Sequence, residues 1–528
     1  MDSKRYDRKL SRSLRFKNIF FFETVVLIFN LHQTRNGTRQ IYIILNENKK
    51  YRLLHTSGNG NAICYKILSM KNIQNLLYTG MILTTVLTAC HSAGKGNLQN
   101  LQKGCVTAKV CCAADTSVNY SLYIPSGYDP GREWPLIIAF DPHAAGLIPV
   151  SLFKDEAEKR GFLVAASNNS KNGMDFGEST AIYHTMLDDI KSRFSTDTGR
   201  IYTVGFSGGA RVAGMLAMTE GNIAGVVSCG AGLPSSGRPP QKPFSFLGVA
   251  GTEDFNYPEL LSLDPQLEQA GFTHYLLTFE GKHEWPPKEL VPDIMTWLEF
   301  DAMRTSHLPV DRNAINRFID RNDSLDNTFA TAGKSYERWQ AYEKMQHYLR
   351  GLTDVSSLEN ILATLAQDTK VIERKKQMED QLMLEDNLRK LYSEKLQNPD
   401  LNYWQAESAK LRRLSARQPP DDVTVVYKRI LGFLSLSSYM YSNNALKQNL
   451  PDAAGIYIEI YRLVDPENPE HRYMAAVAAA RKGDKEAAFG YLNKAVESGF
   501  KEKSRLLSDQ DFTEYHSDPR FRALLKRF

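Results

Sequence analysis

Cysteine is scarce in this sequence, with six residues in 528. The spacing contains no two CxxC pairs, which excludes the paired knuckles of a structural zinc site. If the chain enters an oxidising compartment, a disulfide from Cys105 to either Cys111 or Cys112 is an open alternative.

Long apolar runs of membrane-spanning length are absent as well. The run from Ile19 to Leu31 is interrupted by Glu23, and the run from Leu76 to Ala89 is short and rich in threonine. With 42% hydrophobic and 24% charged residues, the composition is that of a soluble globular protein. Fibrous, wholly disordered and polytopic membrane classes are therefore excluded, and the length predicts about two to four domains.

A strong charge of either sign is also missing, since the net charge is +5. Residues 1–89 hold 14 Lys and Arg against 4 Asp and Glu, whereas the rest of the chain holds 51 against 56. A basic surface would therefore depend on the first 89 residues, and we expect no nucleic-acid partner.

The apolar stretch that follows Met70 and Lys71 ends in Leu-Thr-Ala-Cys at Cys90. This pattern resembles the lipoprotein signal peptides of bacteria, in which a peptidase cuts ahead of an acylated cysteine. The resemblance implies lipidation at Cys90, a signal peptide over 70–89 and a lipid anchor in the bacterial cell envelope, at the periplasmic face or the cell surface.

A signal peptide acts from the N-terminus, so we expect translation from Met70, with residues 1–69 untranslated or disordered. Two alternatives stay open. One is a signal anchor at residues 19–31, and the other is a buried apolar helix that carries Cys90 by chance.

Beyond residue 118, strand-like apolar runs alternate with helix-like runs. The alternation predicts an α/β fold with a mostly parallel sheet over residues 119–304, after a tether at 90–118. The predicted strands are 120–124, 135–140, 162–166, 200–204, 225–227, 244–249 and 275–279, and the predicted helices are 151–160, 179–193, 208–218 and 288–303.

The strand 200–204 runs into Gly205-Phe206-Ser207-Gly208-Gly209 and then into a helix. A Gly-x-Ser-x-Gly motif between a strand and a helix is typical of a nucleophile elbow, a sharp turn that exposes the serine. Gly205 and Gly209 would clear space that side chains could not share. The N–H of Gly208 is a candidate oxyanion donor.

The partners of such a serine must follow as an acid and then a histidine, each after a strand. Asp254 follows the strand 244–249, with Glu253 as the alternative acid, and His283 follows the strand 275–279. Each residue also has a plainer interpretation, since Ser207 suits a glycine-rich turn and Asp254 a helix cap.

A second oxyanion donor is expected near His143 or Ala144, in the loop after the strand 135–140. His143 is equally consistent with simple packing. A metal site from Asp141 and His143 lacks a further ligand, so we predict neither a metal nor a cofactor.

Residues 119–303 resemble the α/β-hydrolase superfamily, specifically secreted esterases and polyester depolymerase-like proteins. The matching segments are 120–128, 134–143, 205–209, 251–254 and 281–286. The resemblance implies acyl transfer with Ser207, His283 and Asp254 as a triad. The usual His-Gly pair of the oxyanion loop is replaced by Asp-Pro-His-Ala-Ala at 141–145, which departs from the family pattern.

Only residues 232–243 separate the strand 225–227 and its turn from the next strand, which leaves no room for a lid domain. We therefore expect an open site that admits bulky esters, such as feruloyl or acetyl esters on polysaccharide. Peptidase activity is an alternative, since the same triad cleaves amides.

Beyond residue 304, strand signals vanish and helix-forming residues dominate, which predicts an all-helical region. The predicted helices are 335–349, 357–365, 370–396 and 403–414, before a break at 418–421. The charge-rich helix 370–396 is most simply a solvated face, with a coiled-coil partner as the alternative.

A period of 34 residues places Ala454, Gly483 and Ala488 at the positions expected of tetratricopeptide repeats. The resemblance implies about two repeats and a cap within residues 429–528, after a helical region at 305–428, with a concave face for a protein partner. An irregular helical bundle is the alternative. The leading hypothesis is an anchored serine esterase, and the alternative is an inactive scaffold.

Overall fold

The computed structural model describes residues 101–234 and 239–528, together with the backbone of five strands among the first hundred residues. The chain divides into two units, residues 1–93 and 94–528. In the first unit, strands Ile19–Phe22 and Val25–Ile28 pair antiparallel, and strands His32–Gln33, Arg39–Glu47 and Lys50–Thr56 form a second antiparallel sheet. The predicted signal peptide and Cys90 lie outside the described residues. Within the described part of the chain, no helix is both long and apolar enough to cross a membrane.

The second unit is built around one eight-stranded sheet. Its strands are β1 Val106–Cys111, β2 Asn119–Tyr123, β3 Trp134–Phe140, β4 Leu163–Ser167, β5 Thr196–Phe206, β6 Gly225–Cys229, β7 Ser245–Gly251 and β8 His274–Phe279. Their spatial order is β8-β7-β6-β5-β3-β4-β2-β1. The six strands from β8 to β4 are parallel, and β2 and β1 add antiparallel pairs at one edge. The predicted α/β class is confirmed.

Both faces of the sheet are buried, which explains the continuous apolar strands. All seven residues of β3 are buried. Ile137 and Ala139 join the core on one face, whereas Leu136, Ile138 and Phe140 join the core on the other. The sheet therefore lies between two helical layers.

Five helices flank the sheet: α1 Leu147–Arg160, α2 Phe176–Arg193, α3 Gly208–Thr219, α4 Tyr257–Gln269 and α5 Val291–Arg304. Helices α1 and α5 cover one face, and α2, α3 and α4 cover the other. The start of α2 is fixed by a capping box between Asp175 and Glu178. Helix α5 is preceded by a short 3-10 turn, Lys288–Leu290.

The rest of the chain is helical, as predicted. The helices are α6 Arg312–Thr331, α7 Ser335–Leu349, α8 Ser356–Leu365, α9 Thr369–Gln397, α10 Leu401–Ser415, α11 Thr424–Lys447, α12 Pro451–Val464, α13 Glu470–Arg481, α14 Lys485–Glu497, α15 Lys503–Ser508 and α16 Pro519–Leu525, with a 3-10 segment at Gln510–Tyr515. Aspartates cap the first turns of α6, α9, α10 and α14.

The core under the sheet continues into α6, α7 and α8 without a break at residue 304. Phe318 of α6 stacks on Tyr348 of α7, and Tyr348 packs edge-on against Trp297 of α5. Two further cores hold α9–α12 and α11–α16. The boundaries at 304 and 428 stay predictions, and the packing crosses the first of them.

Three features differ from the sequence-based expectations. Strand β1 lies within the stretch 90–118 that was expected to be a tether, and helices α4 and α6 were not predicted. Cys105, Cys111, Cys112 and Cys229 are unpaired in the described region, so neither disulfide alternative forms there.

Candidate active site

Ser207 occupies the sharp turn between β5 and α3. Its backbone is left-handed in φ, at 53° with ψ at −119°, a conformation that is strained for a residue with a side chain. A Cβ on Gly205 would lie 2.2 Å from the Gly209 carbonyl oxygen, and one on Gly209 would lie 2.1 Å from the Phe140 oxygen. Both glycines are therefore required by close backbone approach.

The side chains of Ser207, His283 and Asp254 form a hydrogen-bonded chain. The Oγ of Ser207 is 2.9 Å from Nε2 of His283, and Nδ1 of His283 is 2.9 Å from both carboxylate oxygens of Asp254. Because Ser207 follows β5, Asp254 follows β7 and His283 follows β8, the carboxyl ends of these parallel strands bring the three residues to one edge of the sheet.

Asp254 is buried, with 1% of its surface exposed. The backbone N–H of Asn256 donates to its Oδ1 at 2.7 Å, which fixes the carboxylate beside the imidazole. Glu253, the alternative acid, instead pairs with Lys428 of α11 at 2.6 Å. The structure therefore brings Asp254, and not Glu253, to His283.

Two phenyl rings contact the imidazole of His283. The centroids of Phe206 and Phe255 lie 4.7 and 4.2 Å from that of His283. Phe206 directly precedes Ser207 in the sequence, and Phe255 directly follows Asp254. This adjacency was the only sequence signal that could have identified the two rings. Their rings limit the rotation of the imidazole.

Gly230, in the turn after β6, lies against the same cluster. Its φ is +64°, and a Cβ there would lie 2.9 Å from Oδ2 of Asp254 and 3.2 Å from Cε1 of His283. The position therefore requires glycine both for its backbone and for the space it leaves.

The loop after β3 is organised by Asp141. Its buried carboxylate accepts the N–H of His143 at 2.8 Å and the indole N–H of Trp285 at 2.9 Å, and its carbonyl accepts the N–H of Ala144 at 3.1 Å. Ala144 has a φ of 57°. The N–H groups of His143 and Ala144 are both bonded to Asp141 here, so a donor from either would require one of these bonds to open.

The N–H of Gly208 is not bonded to Asp141 in this way. It lies at the first position of α3, where a backbone N–H has no carbonyl partner within the helix. Next to Gly208 is a cavity of about 230 Å³. Its lining includes Asn172, Met174, Phe176, Arg211 and Met215. Asn172 comes from the loop after β4, and no sequence pattern pointed to it.

Glu470, at the start of α13, is largely buried and forms an ion pair within the helical region. Burial raises the pKa of Glu470, at the start of α13, whereas its ion pair with Arg505 and the nearby His143 act in the opposite direction. The Arg505 Nη1 lies 3.0 Å from a carboxylate oxygen of Glu470.

Comparison with known proteins gives structural neighbours only. No family model and no curated protein matches this chain. The S-formylglutathione hydrolase FrmB of Staphylococcus aureus is 15% identical, with 34% of this chain and 90% of that chain covered and a TM-score of 0.30. A hyperthermophilic esterase from the archaeon Pyrobaculum calidifontis is 14% identical, with 40% and 93% covered and a TM-score of 0.30. The feruloyl esterase module from Clostridium thermocellum is 14% identical, with 35% and 85% covered and a TM-score of 0.29. This chain is thus similar, over 34–40% of its length, to solved structures of a hydrolase and of two esterases.

Proposed function

We propose that this chain is a serine hydrolase that cleaves carboxylic esters. The observation that carries the proposal is the unbroken chain of 2.9 Å contacts from Oγ of Ser207 through His283 to Asp254, with Ser207 held at a strained turn. Backbone strain and a buried carboxylate both cost stability, and this combination is typical of functional sites.

The residues divide the chemistry among them. As Oγ of Ser207 bonds to the ester carbonyl carbon, Nε2 of His283 accepts its proton. Asp254 accepts a hydrogen bond from the Nδ1–H group, stays ionised and stabilises the imidazolium. His283 then gives that proton to the leaving alcohol as the ester C–O bond breaks. Water attacks the acyl-enzyme through the same steps in reverse, and the N–H of Gly208 donates to the oxyanion in both halves.

The cavity beside Gly208 bears on the substrate. Pockets that enclose a drug-sized ligand measure about 300–1,000 Å³, and this cavity of about 230 Å³ is smaller. It suits one side of an ester, with the other side outside it. We therefore favour an ester whose acyl group enters this cavity while a large alcohol stays outside it, such as acetyl or feruloyl esters of polysaccharide.

We also propose that the chain is anchored in a membrane and binds a protein partner. The Leu-Thr-Ala-Cys sequence at 87–90 supports a lipid anchor at Cys90 in a bacterial cell envelope. Helices α11–α14 form two successive hairpins, and Ala454, Ala488 and Ala495 are fully buried between them. This packing supports tetratricopeptide-like repeats that recruit a protein partner.

The test is hydrolysis of p-nitrophenyl acetate by the purified chain and by Ser207→Ala and His283→Ala. We expect both variants to lose activity by at least about 10³-fold, and a fluorophosphonate probe to label Ser207. Glu253→Gln is the control for the choice of acid, since the Glu253 carboxylate faces Lys428 and not His283. Ser207 should still be labelled in this variant.

Full activity in both alanine variants would refute the assignment of these residues. An unlabelled wild-type chain would favour the alternative, an inactive hydrolase fold that serves as a scaffold through its helical hairpins. Faster cleavage of an anilide than of the matching ester would favour a peptidase.

A further inference from the structure

Helix α11 lies against the loop that carries Asp254, residues 252–255, here called the acid loop. Lys428, Arg429 and Gly432 form the contacting face of the helix. Lys428 pairs with Glu253 at 2.6 Å, and a Cβ on Gly432 would lie 2.9 Å from Cδ1 of Phe255. The helix thus contacts the loop on both sides of Asp254.

Arg429 is the centre of this contact. Its side chain is 2% exposed, and its Nη1 donates to the carbonyl oxygen of Thr252 at 2.9 Å. Its Nε donates at 2.6 Å to Glu385 of α9, which is buried as well. A buried ion pair is costly unless its charged atoms are hydrogen-bonded. Here Nε of Arg429 bonds Glu385 and Nη1 bonds the Thr252 carbonyl, so the acid loop supplies part of the compensation.

Arg389, one turn along α9 from Glu385, adds a second guanidinium. It bonds Glu385 at 2.8 Å and donates to the carbonyl oxygen of Phe255. Two arginines of the helical region therefore bind the carbonyls at the two ends of the acid loop.

The N–H groups of the loop have different partners. The N–H of Thr252 donates to Phe279, and that of Glu253 donates to Gly281, both in the sheet domain and both at 2.8 Å. The loop is thus held from one side by β8 and its following turn and from the other by α9 and α11. Phe255, which packs on His283, lies at the junction of the two sides.

We propose that Arg429, supported by Glu385 and Arg389, is a positioning residue for Asp254, and that the helical region is therefore part of the catalytic apparatus. The inference rests on the proposed function. It differs from a recruiting role for the helices, because it assigns them an effect on the chemical step with no partner bound.

Gly432→Ala tests the contact with a single methyl group. The methyl should displace Phe255 and the acid loop, and kcat for p-nitrophenyl acetate should fall by about tenfold or more with KM nearly unchanged. Gly490→Ala in α14 is the matched control, because among the described residues no atom outside the local backbone of α14 lies within 4 Å of its added Cβ. Both substitutions replace a helical glycine, so a loss of kcat in Gly432→Ala alone separates positioning from helix propensity.

Arg429→Gln tests the route through Asp254 by a double-mutant cycle. In the wild-type background we expect kcat to fall by about 10–100-fold. In the Asp254→Asn background the same substitution should cost at most about twofold, because the carboxylate it positions is already gone. An equal loss in both backgrounds would overturn the inference, as would an unchanged kcat in Gly432→Ala.

Labelling of the wild-type chain distinguishes a failure of the proposed function from a failure of the positioning role alone. If its Ser207 is not labelled by a fluorophosphonate, the proposed function fails. If Ser207 is labelled at the same rate in wild type, Gly432→Ala and Arg429→Gln, only the positioning role fails.

Discussion

The phenyl ring of Phe255 lies 4.2 Å from the imidazole of His283, measured between centroids, with the planes tilted by 38°. Removing this ring leaves the imidazole free to turn away from Ser207. We expect Phe255→Ala to lower kcat for p-nitrophenyl acetate by about 10–100-fold. Phe272→Ala is the control, since Phe272 is also half-buried and packs on an aromatic ring, that of Phe244. Equal losses of activity in the two variants would contradict this role.

Gly230→Ala should abolish most of the activity. The added methyl would meet both Asp254 and His283, and the left-handed backbone adds a strain of about 1–2 kcal/mol. Gly271→Ala has nearly the same backbone, with φ at +73°, but among the described residues no atom lies within 4 Å of its Cβ. Both variants should therefore lose stability in urea unfolding, and only Gly230→Ala should lose kcat. Activity retained in Gly230→Ala would show that the cluster tolerates a shift.

Asp141→Asn should slow the reaction through the oxyanion loop. An amide oxygen can still accept from His143, but the NH₂ group would then face the indole N–H of Trp285, and two donors would meet. We expect kcat to fall by about tenfold or more, up to the loss of about 10²–10³-fold that follows removal of an oxyanion donor.

Trp285→Phe removes the opposing N–H, so it should restore part of the activity when combined with Asp141→Asn. A steady-state comparison of the two single variants and the double variant measures this coupling. Strictly additive losses would argue against the Asp141–Trp285 contact as the cause.

Stability should depend on pH through Glu343 of α7. Burial, with the carboxylate of Asp264 adding to it and Lys375 opposing it, raises the pKa of Glu343 to about 7. The folded chain therefore binds this proton more tightly than the unfolded chain, whose glutamate pKa is about 4.3. The stabilisation that this proton binding gives the folded chain is complete below the unfolded pKa of about 4.3. It is lost as the pH rises through the folded pKa of about 7.

Glu343→Gln should consequently be more stable than the wild type at pH 8 and closer to it at pH 4.5, as measured by urea unfolding at both values. Glu337→Gln on the same helix controls for loss of one acidic group, since its carboxylate lies 3.8 Å from Lys334. A wild-type chain that is more stable than Glu343→Gln at pH 8 would contradict this prediction.

The parts of the fold that could be predicted are those in which one segment carries its own signal. Strand β3 is continuously apolar because both its faces are buried, and the elbow at Ser207 combines a strand, close-packed glycines and a helix within a few residues. The order of an acid and then a histidine after successive strands selected Asp254 and His283, which the parallel sheet brings to Ser207.

What could not be predicted depends on distant segments. Strand β1 is an edge strand with largely exposed residues, so it lacks the apolar run by which strands are recognised. Arg429 and Thr252 are 177 residues apart, and nothing local marks an arginine that will be buried against another element. Asn172 reaches Gly208 from a loop of its own, and no motif includes it.

The core shared by the sheet and α6–α8 limits how this chain could have been assembled from modules. A segment cut at residue 304 would expose Trp297 and Phe300, which are now 0% and 1% exposed, where Phe318 and Tyr348 cover them. A segment that keeps this shared core must therefore extend through α6, α7 and α8. Recombination that respects folding would fall after residue 365, well inside the helical half.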